Sequence, residues 1–236
     1  MFAVVCALLW LLLDDPESRG PLIQGKPASY WTRRLRADQV DPEVINAVAS
    51  EKSVAIPALV QQLSLPDSTV KDFAKRLWLR LPAALRNRVP EPTTRAELRG
   101  GAAHALVVVC RRRSIARTGP TLSEAQLMLP ALNRALQDRD ARVRSFVTVA
   151  LGYLGVISAQ AIDACDVALK DQHWWVRANA VHSLGRLAKS DERAIRRLRS
   201  ALADSHPQVH DLAAQRLELL GKASPRDDAS SATEAE

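Results

Sequence analysis

The stretch that decides the fold is Asp171–Gly185, which reads DQHWWVRANAVHSLG. Within it Val176, Ala180 and Leu184 follow one another at intervals of four residues, which places them on one face of a helix. The same pattern occurs 33 residues earlier and 33 residues later, so three consecutive copies share one register. Repetition at such a period predicts a chain built from stacked, similar units. The copies are aligned by Ala135-Leu136-x-Asp138, Ala168-Leu169-x-Asp171 and Ala201-Leu202-x-Asp204.

Each copy contains two apolar stretches of helical spacing with an Asp between them, which predicts a helix, a short turn and a second helix. Asp138, Asp171 and Asp204 are predicted to cap the second helix of their copy, because an Asp side chain accepts hydrogen bonds from the free N–H groups at a helix start. Gly155 and Gly221 stand where second helices should end, since Gly tolerates the left-handed conformation that follows a helix.

An earlier copy is displaced from the three regular ones. Residues 56–63 match residues 129–136 at an offset of 73, which leaves room for one further repeat with an insertion. In this alignment Val70-Lys71 opens the second helix of the earliest copy. The second helix of the further repeat is predicted at Leu98–Cys110, with Arg99 in the position of the repeat arginine.

This pattern of helix, Asp turn, Val-Arg and Ala-x-x-x-Leu-Gly resembles the HEAT repeat, in particular its short variety found in many bacterial proteins and in the phycobilisome lyase family. The resemblance covers residues 43–222. It implies an all-α fold, a right-handed α-α superhelix (solenoid) of about five antiparallel helix-pair repeats. In the HEAT family the Asp of one turn and the Arg of the next repeat form a ladder along the stack. The resemblance thereby gives a structural role to Asp138, Arg144, Asp171, Arg177 and Asp204.

The N-terminus carries an apolar run, Phe2–Leu13, with the sequence FAVVCALLWLLL. The run has the length of a signal peptide and is short for a transmembrane helix. No basic residue precedes it and no small-x-small cleavage site follows it, so an export signal, a membrane anchor and a first helix packed on the solenoid stay open. The first two place the protein in the membrane or outside it, in the bacterial envelope, and the third places it in the cytoplasm.

These features divide the chain into four parts. Residues 1–20 form the hydrophobic signal or anchor segment, and residues 21–42 form a capping helix region ahead of the repeats, which a solenoid needs to cover its exposed end. Residues 43–222 form the solenoid. Residues 223–236 are rich in small and acidic residues, so a disordered tail is expected there.

Candidate binding residues follow from charge and aromatic content. The formal net charge of +7 favours anionic partners. Trp174 and Trp175 open a second helix near Arg177, where exposed rings could stack a base or anchor a peptide, although one ring could instead pack between repeats. Spacings of three and four place three later arginines on one helix face, where like charges repel without a counterion. The candidate basic residues are Arg111, Arg112, Arg113, Arg177, Arg193, Arg196 and Arg197.

No residue set suggests catalysis or metal binding. Cys6, Cys110 and Cys165 lie far apart, which favours small buried hydrophobes over a zinc site or a disulfide. The histidines include His206 and His210, four residues apart, but no HExxH motif is present. We therefore predict no catalytic residue, no metal and no cofactor.

The sequence as a whole favours a non-enzymatic scaffold that mediates protein–protein binding at the bacterial cell envelope. The expected partner is another protein with an acidic surface, with anionic lipid or nucleic acid as further possibilities, and the chain is expected to be a monomer. The alternatives are a lyase-type or DNA-repair HEAT-like enzyme and a nucleic-acid-binding module, which would lose affinity steeply with salt.

Overall fold

The computed structural model describes residues 21–35, 41–115, 120–155, 159–189 and 191–221. The predictions for residues 1–20 and 223–236 lie outside the described residues, as does the side chain of Arg113. The chain divides into an N-terminal unit that ends at Val147 and a C-terminal unit that begins at Thr148.

Helices make up nearly all of the described secondary structure, and a two-stranded hairpin of Leu22–Ile23 and Lys26–Pro27 precedes them. The prediction of an all-α fold built from successive helix-pair repeats is confirmed. The described helices are α1 (Ala28–Arg33), α2 (Pro42–Ser50), α3 (Lys52–Leu63), α4 (Thr69–Leu79), α5 (Ala83–Arg86), α6 (Arg95–Ile115), α7 (Leu122–Ala135), α8 (Ala141–Leu154), α9 (Ala159–Ala168), α10 (Trp174–Leu187), α11 (Glu192–Ser200) and α12 (Pro207–Leu219).

The start of the N-terminal unit is held by a tryptophan. Trp31 of α1 is 2% exposed, and its Nε1 donates a hydrogen bond to the carbonyl oxygen of Ile23 at 2.9 Å. The bond satisfies the indole N–H, which would otherwise be costly to bury. Gln24 and Gly25 form the tip of the hairpin with φ of 48° and 71°, the left-handed region that a tight turn requires. The Trp31 hydrogen bond holds the hairpin against α1, and both pack on helix α3, while α1 also packs on α6.

Helix α3 pairs with α6 rather than with α4, so α4 and α5 are an insertion within one repeat. The helix predicted at Leu98–Cys110 is confirmed within α6, and Arg99 donates to the carbonyl oxygen of Leu65 at 3.1 Å, at the end of α3. The prediction that Val70-Lys71 opens a repeat helix is wrong. Val70 is 49% exposed, whereas Val143 of a regular repeat is fully buried, because α4 does not contribute its apolar residues to the repeat core.

In the C-terminal unit the predicted core positions are buried. The first helices α9 and α11 pack against the second helices α10 and α12, and α10 packs against α12. Burying the repeated positions on both helices gives each repeat a core that it shares with its neighbour. The repeat residues Val176, Ala180, Leu184, Val209, Ala213 and Leu217 are each at most 1% exposed.

The repeat aspartates act two residues earlier than predicted. The N-cap residues of α10 and α12 are His173 and His206, neither of which caps with its side chain. Asp171 and Asp204 each accept a hydrogen bond from the backbone N–H of these cap residues at 2.8 Å. The aspartates therefore satisfy one free N–H group at each helix start, as predicted, but they do so from the turn before the helix and not as the N-cap residue. In the regular repeat before them, Asp138 likewise accepts from the N–H two residues on, at 2.9 Å.

The two predicted helix-end glycines serve different purposes. Gly221 has φ of 66°, which confirms the left-handed position after α12. Gly155 follows α8 without a positive φ, and an added Cβ there would lie 2.6 Å from the side chain of Leu187. Gly155 is therefore needed for close packing between helices and not for its backbone conformation.

Candidate functional site

Two arginines of second helices are bound to the aspartate of the following repeat. In the C-terminal unit Arg177 Nε and Nη2 contact the two carboxylate oxygens of Asp204 at 2.7 and 2.8 Å, and Nη1 donates to the carbonyl oxygen of Asp171 at 2.9 Å. This is the planar two-bond geometry that suits a guanidinium and a carboxylate. The side chains are only 15% and 10% exposed, so the pair is nearly covered by protein.

Arg99 makes the equivalent contacts in the N-terminal unit. Its Nε lies 2.5 Å and its Nη2 3.1 Å from the carboxylate of Asp138, and Nη2 also lies 2.7 Å from Asp67. Burial by itself lowers the pKa of Arg99, but the hydrogen bonds to Asp138 and Asp67 outweigh it and raise the pKa. Such covered pairs are costly to break, because the partner left behind is a buried charge.

These contacts determine what the arginines can do. The hydrogen bond to Asp204 raises the pKa of Arg177, and the same bond is the main cause of the lowered pKa of Asp204. Arg177 thus has most of its donors occupied within the protein. Of its two predicted roles, the geometry favours the structural one. Arg144 donates to the carbonyl oxygen of Asp138 at 2.8 Å, and the continuous ladder along all the repeats stays a prediction.

The tryptophan pair lies at the start of α10 and forms a cluster with two histidines. Trp174 stacks on His206 of the next repeat, with ring centroids 4.4 Å apart and planes at 7°. Trp175 stacks on His173 at 4.5 Å and meets Trp174 edge to face at 6.1 Å. Trp175 remains 37% exposed. One ring therefore fills the space between repeats, and the other is held by its neighbours in a position open to solvent.

The arginines of α11 have partners that the sequence did not reveal. Arg193 Nη2 lies 2.8 Å from Asp191, and Arg197 Nε lies 3.2 Å from Asp166 of the neighbouring first helix. Like charges on this face were expected to repel if they had no counterion, and that condition is not met for these two residues because carboxylates lie beside them. Arg196 is exposed and, among the residues that the structure describes, makes no ion pair. Its charge still contributes, after the contacts of Arg193, to the lowered pKa of Asp191.

The other predicted basic cluster lies on α6. Arg111 and Arg112 are both exposed near the C-terminal end of the helix, and the side chain of Arg113 lies outside the described residues. Arg111 and Arg112 belong to the N-terminal unit, whereas the α11 arginines and the tryptophans belong to the C-terminal unit. The candidate binding residues are therefore divided between the two units, and neither unit contains all of them.

A groove in the N-terminal unit was not predicted. It has a volume of about 600 Å³, which is within the range of ligand-binding clefts, and both acidic and basic side chains line it. Gly100 and Gly101 lie at its wall, and a Cβ at Gly101 would come within 2.6 Å of the carbonyl oxygen of Thr32. The two adjacent glycines inside α6 are the sequence feature that could have predicted this close approach of α6 to α1. Its charged lining residues are Arg33, Lys75, Glu91, Glu97, Asp140 and Arg142.

Two cysteines and one histidine lie in buried surroundings that disfavour their charged or reactive forms. Burial raises the pKa of the Cys165 thiol to about 12, and Cys110 is also buried. His104 is buried against the ring of Phe146, with centroids 4.4 Å apart, and this burial lowers the pKa of His104. Within the described ranges, no three His, Cys, Asp or Glu side chains are grouped in a way that could hold a metal ion.

No helix in those ranges combines the length and apolarity needed to span a bilayer.

Comparison with known proteins identifies the repeats. Residues 128–218 match the family model for HEAT repeats. No curated protein matches the chain. Among solved structures, one engineered protein has 18% identity and a TM-score of 0.48, with coverage of 92% of this chain and 78% of its own. A second engineered protein has 18% identity, a TM-score of 0.43 and coverage of 92% and 58%.

A further solved structure, described by the words "TOG-tubulin binding specificity promotes microtubule dynamics and mitotic spindle formation", has 15% identity and a TM-score of 0.41. It covers 89% of this chain and 76% of its own. These three scores are too low to support a conclusion about the function of this chain. The match of residues 128–218 to the HEAT-repeat model is a match of sequence and does not depend on these structures.

Proposed function

We propose that this chain, whose residues 128–218 are HEAT repeats, is a non-enzymatic scaffold that binds another protein through the exposed aromatic surface at the start of α10. HEAT repeats form a fold suited to protein binding, because stacked helix pairs present extended surfaces of regular geometry. The identity of the partner does not follow from the fold and must come from the site.

The observation that carries the proposal is the position of Trp175. Its ring is stacked on His173 and braced by Trp174, yet 37% of the residue is exposed. Tryptophan is the residue type most often found at the energetic centre of protein interfaces. A ring that is already held in place loses little conformational entropy when a partner covers it. Trp175 is thus suited to anchor a protein partner.

The charged groups support a binding role over a catalytic one. Arg177 and Asp204 are bound to each other, and Cys165 is held as a thiol by burial. Most donors of Arg177 are thus occupied within the protein, and the buried Cys165 thiol is a poor nucleophile. The nucleic-acid alternative has less support, because Arg193 and Arg197 already contact carboxylates. We expect an acidic partner surface, in view of the net charge of +7.

The cell envelope remains the proposed location. This part of the proposal depends on the apolar sequence of Phe2–Leu13, which lies outside the described residues. We also propose, from the sequence as a whole, that the chain is a monomer and that it divides into the four parts given above.

Photo-crosslinking in the cells that naturally contain the protein tests the binding surface. A photoreactive amino acid is placed at Trp175 and, as a matched control, at Val167, which is 48% exposed in the same unit. We expect a defined crosslinked protein from position 175 that is absent or much weaker from position 167. Mass spectrometry then identifies the protein. Equal crosslinking from both positions, or none from either, would show that this surface is not the binding site.

A further inference from the structure

Helix α4 carries an apolar stripe that faces solvent. Val70, Phe73 and Leu77 are spaced by three and four residues, so they lie on one face of the helix. They are 49%, 57% and 42% exposed. Only Ala74 of the 11 residues in α4 is buried. This stripe of Val70, Phe73 and Leu77 is called the α4 face below.

The outward orientation of the α4 face is fixed by contacts on the opposite side of the helix. Lys75 Nζ lies 2.6 Å from Glu91 and 2.8 Å from Glu97, and its side chain is 17% exposed. Trp78 Nε1 donates to the carbonyl oxygen of Val89 at 3.1 Å. A lysine bound to two carboxylates holds α4 against the start of α6. The apolar residues are therefore not free to rotate into the core.

Basic residues accompany the α4 face. Arg76 and Arg80 follow Phe73 by three and seven positions, so they lie along one side of the stripe, and both are exposed. Neither has a carboxylate partner within the described ranges. The inserted segment from residue 69 to residue 94 contains six basic and two acidic residues. Arg88, in the loop after α5, is also exposed and is one of the six basic residues.

We propose that the α4 face binds the surface of an anionic lipid bilayer. A short helix with aromatic and aliphatic residues on one side and arginines at its edge is the pattern of a helix that lies in the plane of a membrane surface. In such a position Phe73 and Leu77 enter the boundary between headgroups and acyl chains. Arg76 and Arg80 reach the lipid phosphates, because long basic side chains extend toward the polar layer.

The charge pattern favours lipid over a second copy of the chain as the occupant of the α4 face. A second copy of the chain would bring the same basic residues together, and like charges repel. The chain's own Phe2–Leu13 is uncharged but is followed by Asp14 and Asp15, and the fluorescence test below distinguishes this segment from lipid as the occupant. An anionic membrane supplies both an apolar layer and negative charge. The proposal does not depend on Trp175 or on the identity of a protein partner.

Vesicle binding of the full chain tests the proposal. The variant Phe73→Gln/Leu77→Gln is compared with Leu122→Gln/Leu127→Gln, which changes two leucines of α7 that are 61% and 45% exposed. Cosedimentation uses vesicles of phosphatidylglycerol with phosphatidylcholine, and vesicles of phosphatidylcholine alone. We expect the α4 variant to lose at least about tenfold in partitioning to anionic vesicles, since two apolar side chains are removed from the interface. The α7 variant should bind like the unmodified chain.

A local probe keeps the test informative if the apolar N-terminus also binds vesicles. In a Cys6→Ser background an environment-sensitive fluorophore is attached through Phe73→Cys or, as a control, through Leu122→Cys, while Cys110 and Cys165 stay unlabelled because they are buried. Anionic vesicles should shift the emission of the probe at position 73 to the blue and leave that at position 122 unchanged.

Other outcomes would overturn the proposal in recognisable ways. Emission at position 73 that is already blue without vesicles, at low protein concentration, would show that the chain itself covers the α4 face. A blue shift that depends on protein concentration in the absence of lipid would show self-association. An unchanged probe together with unchanged vesicle binding of the α4 variant would show that this face does not contact lipid.

Discussion

The variant Asp204→Asn removes the charge that Arg177 contacts while keeping the shape of the side chain. A fully exposed ion pair contributes about 0–1 kcal/mol, whereas breaking a fully buried pair costs about 3–5 kcal/mol. Arg177 and Asp204 retain 15% and 10% exposure, and the Asn oxygen can still accept the backbone hydrogen bond at the turn. We therefore expect the free energy of unfolding to fall by about 2 kcal/mol. Unfolding in urea, monitored by circular dichroism, measures this free energy.

A matched control is Asp163→Asn, which removes an exposed carboxylate 4.0 Å from Arg193. It should leave the unfolding curve unchanged, because an exposed, distant pair contributes little. If Asp204→Asn costs no more than Asp163→Asn, the structural role of the Arg177 contact is refuted.

The pH dependence gives a second check on the same residue. The bond to Arg177 lowers the pKa of Asp204 in the folded state, so the carboxylate stabilises the fold above its unfolded pKa of about 3.9. This contribution is lost as the pH falls through the lowered folded value. The difference in stability between the unmodified chain and Asp204→Asn should be constant near neutral pH and shrink below about pH 4. A difference that grows on acidification would contradict the assignment.

Three further predictions follow from packing and burial. Gly152→Ala should lower the free energy of unfolding by about 1–3 kcal/mol, since its Cβ would lie 2.5 Å from a neighbouring serine side chain, whereas Gly100→Ala, with 3.9 Å of room, should not destabilise. Trp174→Ala should lower the melting temperature clearly more than Trp175→Ala, because the first ring packs between repeats and the second is more exposed. Cys165 should resist alkylation in the folded chain at neutral pH, as judged by peptide mass spectrometry, because its thiol has a pKa raised to about 12.

The repeat part of the fold was predictable because each core position recurs at a constant interval. Val176 and Val209 are both fully buried, and the sequence marks both by the same helical spacing. The insertion was misassigned for a local reason. Val70-Lys71 matches the repeat pattern at two positions, but whether a helix joins the core depends on which helix pairs with α3. This pairing involves contacts between residues that are far apart in the sequence, such as the hydrogen bond from Arg99 to Leu65.

The candidate site was less predictable because it depends on contacts between repeats. The exposure of Trp175 and the packing of Trp174 differ, although the two residues are adjacent and chemically identical. The counterion of Arg197 is Asp166, which lies on a neighbouring first helix and precedes it by 31 residues. Periodicity within one helix shows which side chains share a face, but it does not show what lies opposite that face.

The most direct test of the scaffold proposal is a calorimetric titration of the chain with the protein crosslinked at position 175, followed by intact-mass analysis of the partner. The account predicts saturable binding, a loss of at least about tenfold in affinity for Trp175→Ala, unchanged affinity for Val167→Ala, and a partner recovered with its mass unchanged. Equal affinity of the two variants would contradict the assigned surface. A chemically altered partner would contradict the non-enzymatic function.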